Sequence, residues 1–267
     1  MSELAFKKIV LLGLPGSGKT RVAQSLHSQF GCELLIEDLC ELTKNDVQFT
    51  RPGSLEWNAF LNLPVKQANQ EVWCVIDVRS PLPEIGAEWL QQVLTDMLSV
   101  ADVVVFTFVE AAALDSQAWW SKWVVNHSTA GIKKPIVRWI NQRFPVDFKG
   151  FDFAHEQDDS VNPSPLDQLE QADLPQVKTF HFSVERIVLD HLLMGLDNSR
   201  QNLAMKICRV KGVVQTVEYS NLVAIEGSAY RWDTFAAESE TEQGQLQISG
   251  VGLDQAWLTQ IIKAATV

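Results

Sequence analysis

Eight consecutive residues carry the strongest chemical signal in the chain: Gly13-Leu14-Pro15-Gly16-Ser17-Gly18-Lys19-Thr20. Glycines at this spacing let successive backbone N–H groups curl inward around phosphate oxygens. A helix that opens at the same place adds its partial positive charge. Lys19 is placed to reach terminal phosphates as a point charge, and the Thr20 hydroxyl to ligate Mg2+. The pattern G-x-x-x-x-G-K-T is that of a P-loop, and its confirming context is a buried strand before it and a helix after it. Both are legible here. Residues 7–12 read KKIVLL, two charges and then an aliphatic run, and beyond the loop Val22, Leu26 and Phe30 recur every fourth residue.

A triphosphate–magnesium site needs a further carboxylate at the end of another strand. Asp77 closes the apolar run EVWCVID and precedes Pro81 and Pro83, which break the chain. It is the candidate metal-side acid, against the plainer reading of an Asp that caps a turn. Glu37 and Asp38 end a second strand candidate. One of them would orient an attacking water or a magnesium-bound water, or both are a solvated strand end. Asn141 ends a fifth apolar run and is either a contact to a nucleotide base or a turn former. The cysteines Cys32, Cys40, Cys74 and Cys208 lie far apart, and no two histidines have the H-x-x-x-H spacing of a zinc helix.

These residues need a scaffold that brings strand ends together. Buried strands are expected over 7–12, 33–39, 71–78, 102–108 and 135–140. Helices are expected over 21–30, 85–100 and 115–125, and 43–70 is expected to be irregular with a short helix. Strands alternating with helices imply a doubly wound, mostly parallel sheet with right-handed crossovers. Between residues 155 and 175 there are six acidic residues, three prolines and no lysine or arginine, which reads as an acidic loop. A helix over 184–198 would close the first domain, 1–200. From residue 206 the texture turns strand-rich, and a helix over 254–265 ends the second domain, 201–267. Trp119, Trp120 and Trp123 are expected to pack a helix onto the sheet, with one of them left exposed.

Composition sets the boundaries. The 267 residues carry 22 basic and 33 acidic side chains, a net charge of -11. That mean field repels a phosphate backbone, so nucleic acid is not an expected partner. A small anion held by local backbone groups is still allowed. No apolar run is long enough to span a bilayer, no signal peptide is visible, and scattered cysteines fit a reducing compartment. No membrane association and a cytoplasmic location are therefore expected.

The P-loop half, joined to a segment that begins Arg209-Val210-Lys211-Gly212, resembles the CobW-type GTPases, grouped with the nickel-insertion proteins HypB and UreG. The likeness continues through Asn221-Leu222-Val223-Ala224-Ile225-Glu226-Gly227 and ends with Ile248-Ser249-Gly250-Val251-Gly252-Leu253-Asp254. It implies a small C-terminal α/β domain of the CobW-C kind. It also implies Mg2+-dependent binding and slow hydrolysis of GTP (or ATP), and a protein partner that receives a switch signal or a metal. The chain departs from the family pattern in three places. The C-x-C-C metal motif is missing, so no tight thiolate zinc site is expected. Ser80 stands where the family has a glycine beside the γ-phosphate. Of the guanine-reading Asn-Lys-x-Asp only Asn141 remains, and Phe144, whose ring can stack or pack on a base, replaces the Asp. The alternatives are a small-molecule kinase and a catalytically inactive nucleotide-gated adaptor.

Overall fold

The structure, a computed structural model, describes residues 8–30, 47–49, 70–83, 88–128, 134–145, 178–203, 205–237 and 243–267. The chain divides into two compact units, Met1–Arg51 with Trp57–Leu174, and Pro52–Glu56 with Pro175–Val267.

Short runs rich in β-branched residues build the first sheet: β1 (Lys8–Leu12), β2 (Val47–Phe49), β3 (Gln70–Asp77), β4 (Val103–Thr107) and β5 (Ile136–Arg138). Their order is β2-β1-β3-β4-β5, and every pairing is parallel. All five residues of β4 are buried. That is the pattern of a strand covered on both faces, which parallel sheets require because their connections run over the faces. Those connections include α1 (Lys19–Phe30), α2 (Glu88–Val100) and α3 (Leu114–His127). In α2 the buried residues are Leu90, Leu94, Met97 and Leu98, one stripe at helical spacing. Ile9, Leu11, Val22, Leu26, Trp73 and Val105 meet in one core. The buried Lys134 donates to the Ala101 carbonyl at 2.5 Å, just past the C-terminal end of α2, where a cation is favoured.

The strand expected over 33–39 lies outside the described residues. The strands beside β1 are β3 and β2, the latter inside the stretch expected to be irregular. Three residues are too few to show a period.

The second unit is antiparallel. Its sheet has the order β10-β9-β8-β11-β6, from β6 (Lys178–Ser183), β8 (Lys206–Thr216), β9 (Val223–Ser228), β10 (Trp232–Ala236) and β11 (Gln245–Val251). The two-residue β7 (Arg186–Ile187) pairs with β8 in parallel. Two helices, α4 (Leu189–Asn202) and α5 (Gln255–Ala265), add Leu192, Leu196, Leu258 and Ile262 to the core formed with Val210, Val214, Ile225 and Ile248. Asp254, expected at the helix start, is the N-cap of α5, and its carboxylate accepts from the Trp257 N–H at 3.1 Å. In the last turn of α4 the Arg200 guanidinium lies 4.1 Å over the Trp232 ring and donates to the Ser228 carbonyl at 2.5 Å. Burial pushes its pKa down to about 10, with Asp197 opposing, so it stays charged at neutral pH.

The helix expected over 184–198 starts later, at Leu189, and strands β6 and β7 come before it. All three belong to the second unit rather than to a first domain ending at residue 200. An apolar helical stripe fits any sheet of matching shape, so its partner is not encoded in its own period.

Gly250 marks a shift of register in the pairing of β11 with β8. A Cβ there would lie 2.2 Å from the Lys206 carbonyl oxygen and 3.0 Å from the Ile207 Cα. Both are backbone atoms, and no rotamer change relieves them. Gly250→Ala is therefore expected to destabilise the second unit by about 1–3 kcal/mol, the usual cost of overpacking. Hydrogen exchange at 206–216 and 245–251 checks this, and unchanged protection would refute it.

Candidate functional site

The loop that follows β1 is shaped by its glycines. A Cβ on Gly13 would sit 2.3 Å from the Val75 carbonyl oxygen in β3 and 2.7 Å from Ser17 Oγ, so only glycine lets the loop lie this close to the neighbouring strand. Gly16 and Gly18 have φ of 87° and 91°, in the left-handed region open to glycine. The Ser17 N–H donates to the Leu14 carbonyl at 3.0 Å, and the Val22 N–H to the Gly18 carbonyl at 3.0 Å, which starts α1. Lys19 is buried, and its ammonium donates back into the loop, to Gly13 O at 2.8 Å and Leu14 O at 3.2 Å. Thr20, next in the helix, is exposed. Pro15 is buried within the turn.

Ser17 is the anomaly. Its hydroxyl is buried and has no hydrogen-bond partner among the described residues. Buried polar groups are nearly always satisfied, and exceptions point to a ligand or a functional role. A spare hydroxyl, an inward ammonium and first-turn N–H groups make a donor set suited to phosphate oxygens. The loop therefore fits a phosphate chain. The Thr20 hydroxyl and the Asp77 carboxylate are hard oxygen donors of the kind Mg2+ prefers.

The ends of β3 and β4 complete the site. Thr107, fully buried, donates through Oγ1 to the Ser17 carbonyl at 2.7 Å, with the Ile76 carbonyl at 3.1 Å. Phe108 follows with φ 55°, a left-handed conformation uncommon for a bulky residue. It turns the chain into the short 3-10 turn Val109–Ala111. A Cβ on Gly18 would meet the Phe108 ring at 3.2 Å. Asp77, 3% exposed, is held by Arg79: Nε lies 3.0 Å from Oδ1 and 3.1 Å from Oδ2, Nη2 lies 2.6 Å from Oδ2, and the Arg79 N–H donates to Oδ1 at 3.0 Å. The guanidinium also stacks 3.9 Å above the centre of the Phe108 ring. From α3, Ser116 Oγ donates to the Val78 carbonyl at 2.7 Å and Trp120 Nε1 to the Ser80 carbonyl at 2.9 Å. Of the tryptophan cluster, Trp120 and Trp123 are buried and Trp119 half-buried, so none is exposed as expected.

Asn141 and Gln142 have φ of 50° and 58° and form a tight turn closed by paired bonds between Ile140 and Arg143. Positive φ at both central residues is the type I′ requirement, and Asn meets it readily. The Asn141 residue is exposed, and its backbone N–H donates to Glu110 Oε1 at 2.5 Å. Ser25 Oγ on α1 anchors the turn by donating to the Gln142 carbonyl at 2.7 Å. Phe144 is not at a surface where a base could stack. It is buried, edge-on to Trp73 at 5.8 Å, because its ring fills the core beneath β3.

Glu37, Asp38, Cys32 and Cys40 lie outside the described residues, as does the acidic stretch 155–175. Cys74 and Cys208 are both buried. Burial pushes the Cys74 thiol up to about 12, with Lys134 and Lys19 opposing, so it is no thiolate at neutral pH. Among the described residues no three His, Cys, Asp or Glu side chains converge on a metal position. No helix among them is long and apolar enough to cross a membrane.

Sequence reasoning missed Arg79, Thr107 and Phe108. Thr107 stands beside Asp77 in the β3–β4 register, a neighbourhood visible only once the strands are aligned. A signal for Arg79 was present, a cation two residues from a strand-end acid.

The first unit is thus a parallel α/β sheet with a phosphate-type loop at the end of its first strand, compatible with a P-loop fold, and the second is an antiparallel sheet with two helices. No family model matches the chain, and no curated protein does. Among solved structures, similarity is found to the zinc-bound YjiA GTPase from E. coli and to a zinc-bound triple mutant of YjiA GTPase. In each case identity is 11%, coverage is 98% of this chain and 99% of the other, and the TM-score is 0.30. A likeness of that degree decides neither the fold nor the chemistry of this chain.

Thr107→Val keeps the shape and removes the donor to the Ser17 carbonyl. Leaving a buried acceptor without its donor costs about 1–3 kcal/mol. The variant is expected to melt at a lower temperature than the wild type, by calorimetry of the full chain. An unchanged melting temperature would show that Thr107 does not brace the loop.

Proposed function

We propose that this chain binds a nucleoside triphosphate with Mg2+ at Gly13–Thr20 and hydrolyses it slowly, GTP being the preferred nucleotide. The observation that carries the reading is the loop itself. A strand-to-helix turn with two left-handed glycines holds the Lys19 ammonium inward and leaves the Ser17 hydroxyl buried and unsatisfied. In this reading Lys19 offsets charge developing on the transferred phosphoryl, and water is the acceptor. Thr20 and Asp77 would hold Mg2+, whose chemistry is to neutralise phosphate charge. Glu37 or Asp38 would orient the water, and Asn141 would touch the base. The nucleotide state would then switch a protein partner, or the chain would act as a metallochaperone-like protein.

One observation favours the second reading, a nucleotide-gated adaptor that does not hydrolyse. The acid expected at the metal already has both oxygens engaged by Arg79. Phosphate release separates the two readings, and release only with an added acceptor would indicate a small-molecule kinase.

Lys19→Ala is expected to abolish triphosphate binding while circular dichroism stays that of the wild type, because the strand and helix around the loop are held by their own cores. Unchanged GTP and ATP affinity in the folded variant would refute the assignment. In competition at fixed Mg2+, GTP is expected to outcompete ATP by about tenfold or less, equivalent to about 1.4 kcal/mol. The aspartate that accepts from the guanine ring is absent from the Asn141 turn, and Phe144 is core. A thousandfold preference would show that another acid reads the base.

A further inference from the structure

We propose that Arg79 is a built-in competitor for the Asp77 carboxylate, a cation that the metal of a nucleotide complex must displace. The inference rests on the triphosphate–magnesium reading of the loop.

Asp77 is a buried carboxylate, and a buried charge persists only when it is paired. Arg79 supplies the pairing through a forked guanidinium on both oxygens and through its own backbone N–H. Charge-assisted forked contacts of this kind are among the strongest hydrogen bonds in proteins. A divalent cation drawn to Asp77 needs lone pairs on those same oxygens. It would also bring two positive charges against a third. Metal and guanidinium therefore exclude one another at this carboxylate.

The surroundings allow the side chain to leave while the backbone stays. Ser116 and Trp120 hold the carbonyls of Val78 and Ser80 on either side of Arg79. The guanidinium rests on the face of Phe108, whose ring lies against Gly18 of the loop. Sliding across that face keeps the cation–π contact while the charge moves toward the loop. There a triphosphate offers anionic oxygens in exchange for those of Asp77. Arginine matches phosphate with the same fork that it presents to a carboxylate. Metal loading of the nucleotide complex would thus be coupled to transfer of Arg79 from Asp77 to phosphate.

The test is a Mn2+ titration, read by electron paramagnetic resonance, of the full chain saturated with a non-hydrolysable GTP analogue. Wild type, Arg79→Ala and Arg79→Lys are compared. With the competitor removed, Arg79→Ala is expected to half-saturate at a Mn2+ concentration about tenfold or more lower, on the scale of a charged hydrogen bond. Arg79→Lys keeps the charge and loses the fork, so a smaller decrease in the same direction is expected. A purely structural Arg79 predicts the opposite, weaker Mn2+ binding in both variants. Unchanged or raised half-saturation with the analogue still bound overturns the competition. If Arg79→Ala does not fold, the direction of the shift in Arg79→Lys decides. A wild type that binds no analogue, with or without Mn2+, overturns the proposed function and this inference together, and so is told apart from failure of the competition alone.

Discussion

Residue 13 can carry no side chain, and most of the site geometry follows from that. The Val75 carbonyl stands 2.3 Å from where a Cβ would be, so the loop after β1 lies flat against the end of β3. From that position Ser17 comes within reach of Thr107, Gly18 packs against Phe108, and Lys19 folds back onto the Gly13 carbonyl. A bulkier residue would lift the loop by more than a hydrogen-bond length can absorb. Three strand ends would then no longer share one small volume. The left-handed glycines at 16 and 18 serve the same end, letting the chain turn where a residue with a Cβ would be strained.

Charge in the first unit is handled locally. The chain is strongly acidic overall, yet the loop holds a buried ammonium and the nearby strand end a buried carboxylate paired with a half-buried guanidinium. Each buried charge is met by a specific partner: carbonyl oxygens for Lys19, a guanidinium fork for Asp77. Away from water such contacts outweigh the mean field of distant surface acids, which solvent and salt screen. A strongly acidic net charge is therefore compatible with a loop whose donors suit an anion. The bond from Trp120 to the Ser80 carbonyl ties a helix on the face of the sheet to the segment that carries Arg79. One side of this arrangement is rigid and the other is a long flexible side chain.

The second unit solves a different packing problem. Its strands are antiparallel and its helices cover a single core, so β8 alternates, with Val210, Gly212, Val214 and Thr216 buried and Lys211 and Gln215 exposed. This is period-two patterning of a half-covered sheet, unlike the fully buried β4. The half-buried Arg200 is accommodated by an aromatic face, a carbonyl and an ion pair with Asp197 at 3.5 Å. The difference in texture between the units is a difference in how many faces of each sheet meet water.

Much of this was legible from residue order alone, because the signals are local. The loop motif is contiguous, β1, β3, β4 and β5 announce themselves as apolar runs, and Asp254 before an amphipathic stretch marks a helix start. Asp77 could be singled out because it ends a run and a break follows. What the linear chain could not hold are relations between strands. That Thr107 stands beside Asp77 in register and that Phe144 goes inward to Trp73 depend on which strands are neighbours. The affiliation of α4 with the second sheet was likewise undecided until packing decided it. An amphipathic stripe specifies that a helix is covered and leaves open by what. Local propensity thus determined the elements and the loop, and tertiary contact determined which side chains of different strands meet. The physical reason is that hydrogen-bond partners more than a few residues apart are selected by the sheet order and not by their own sequence.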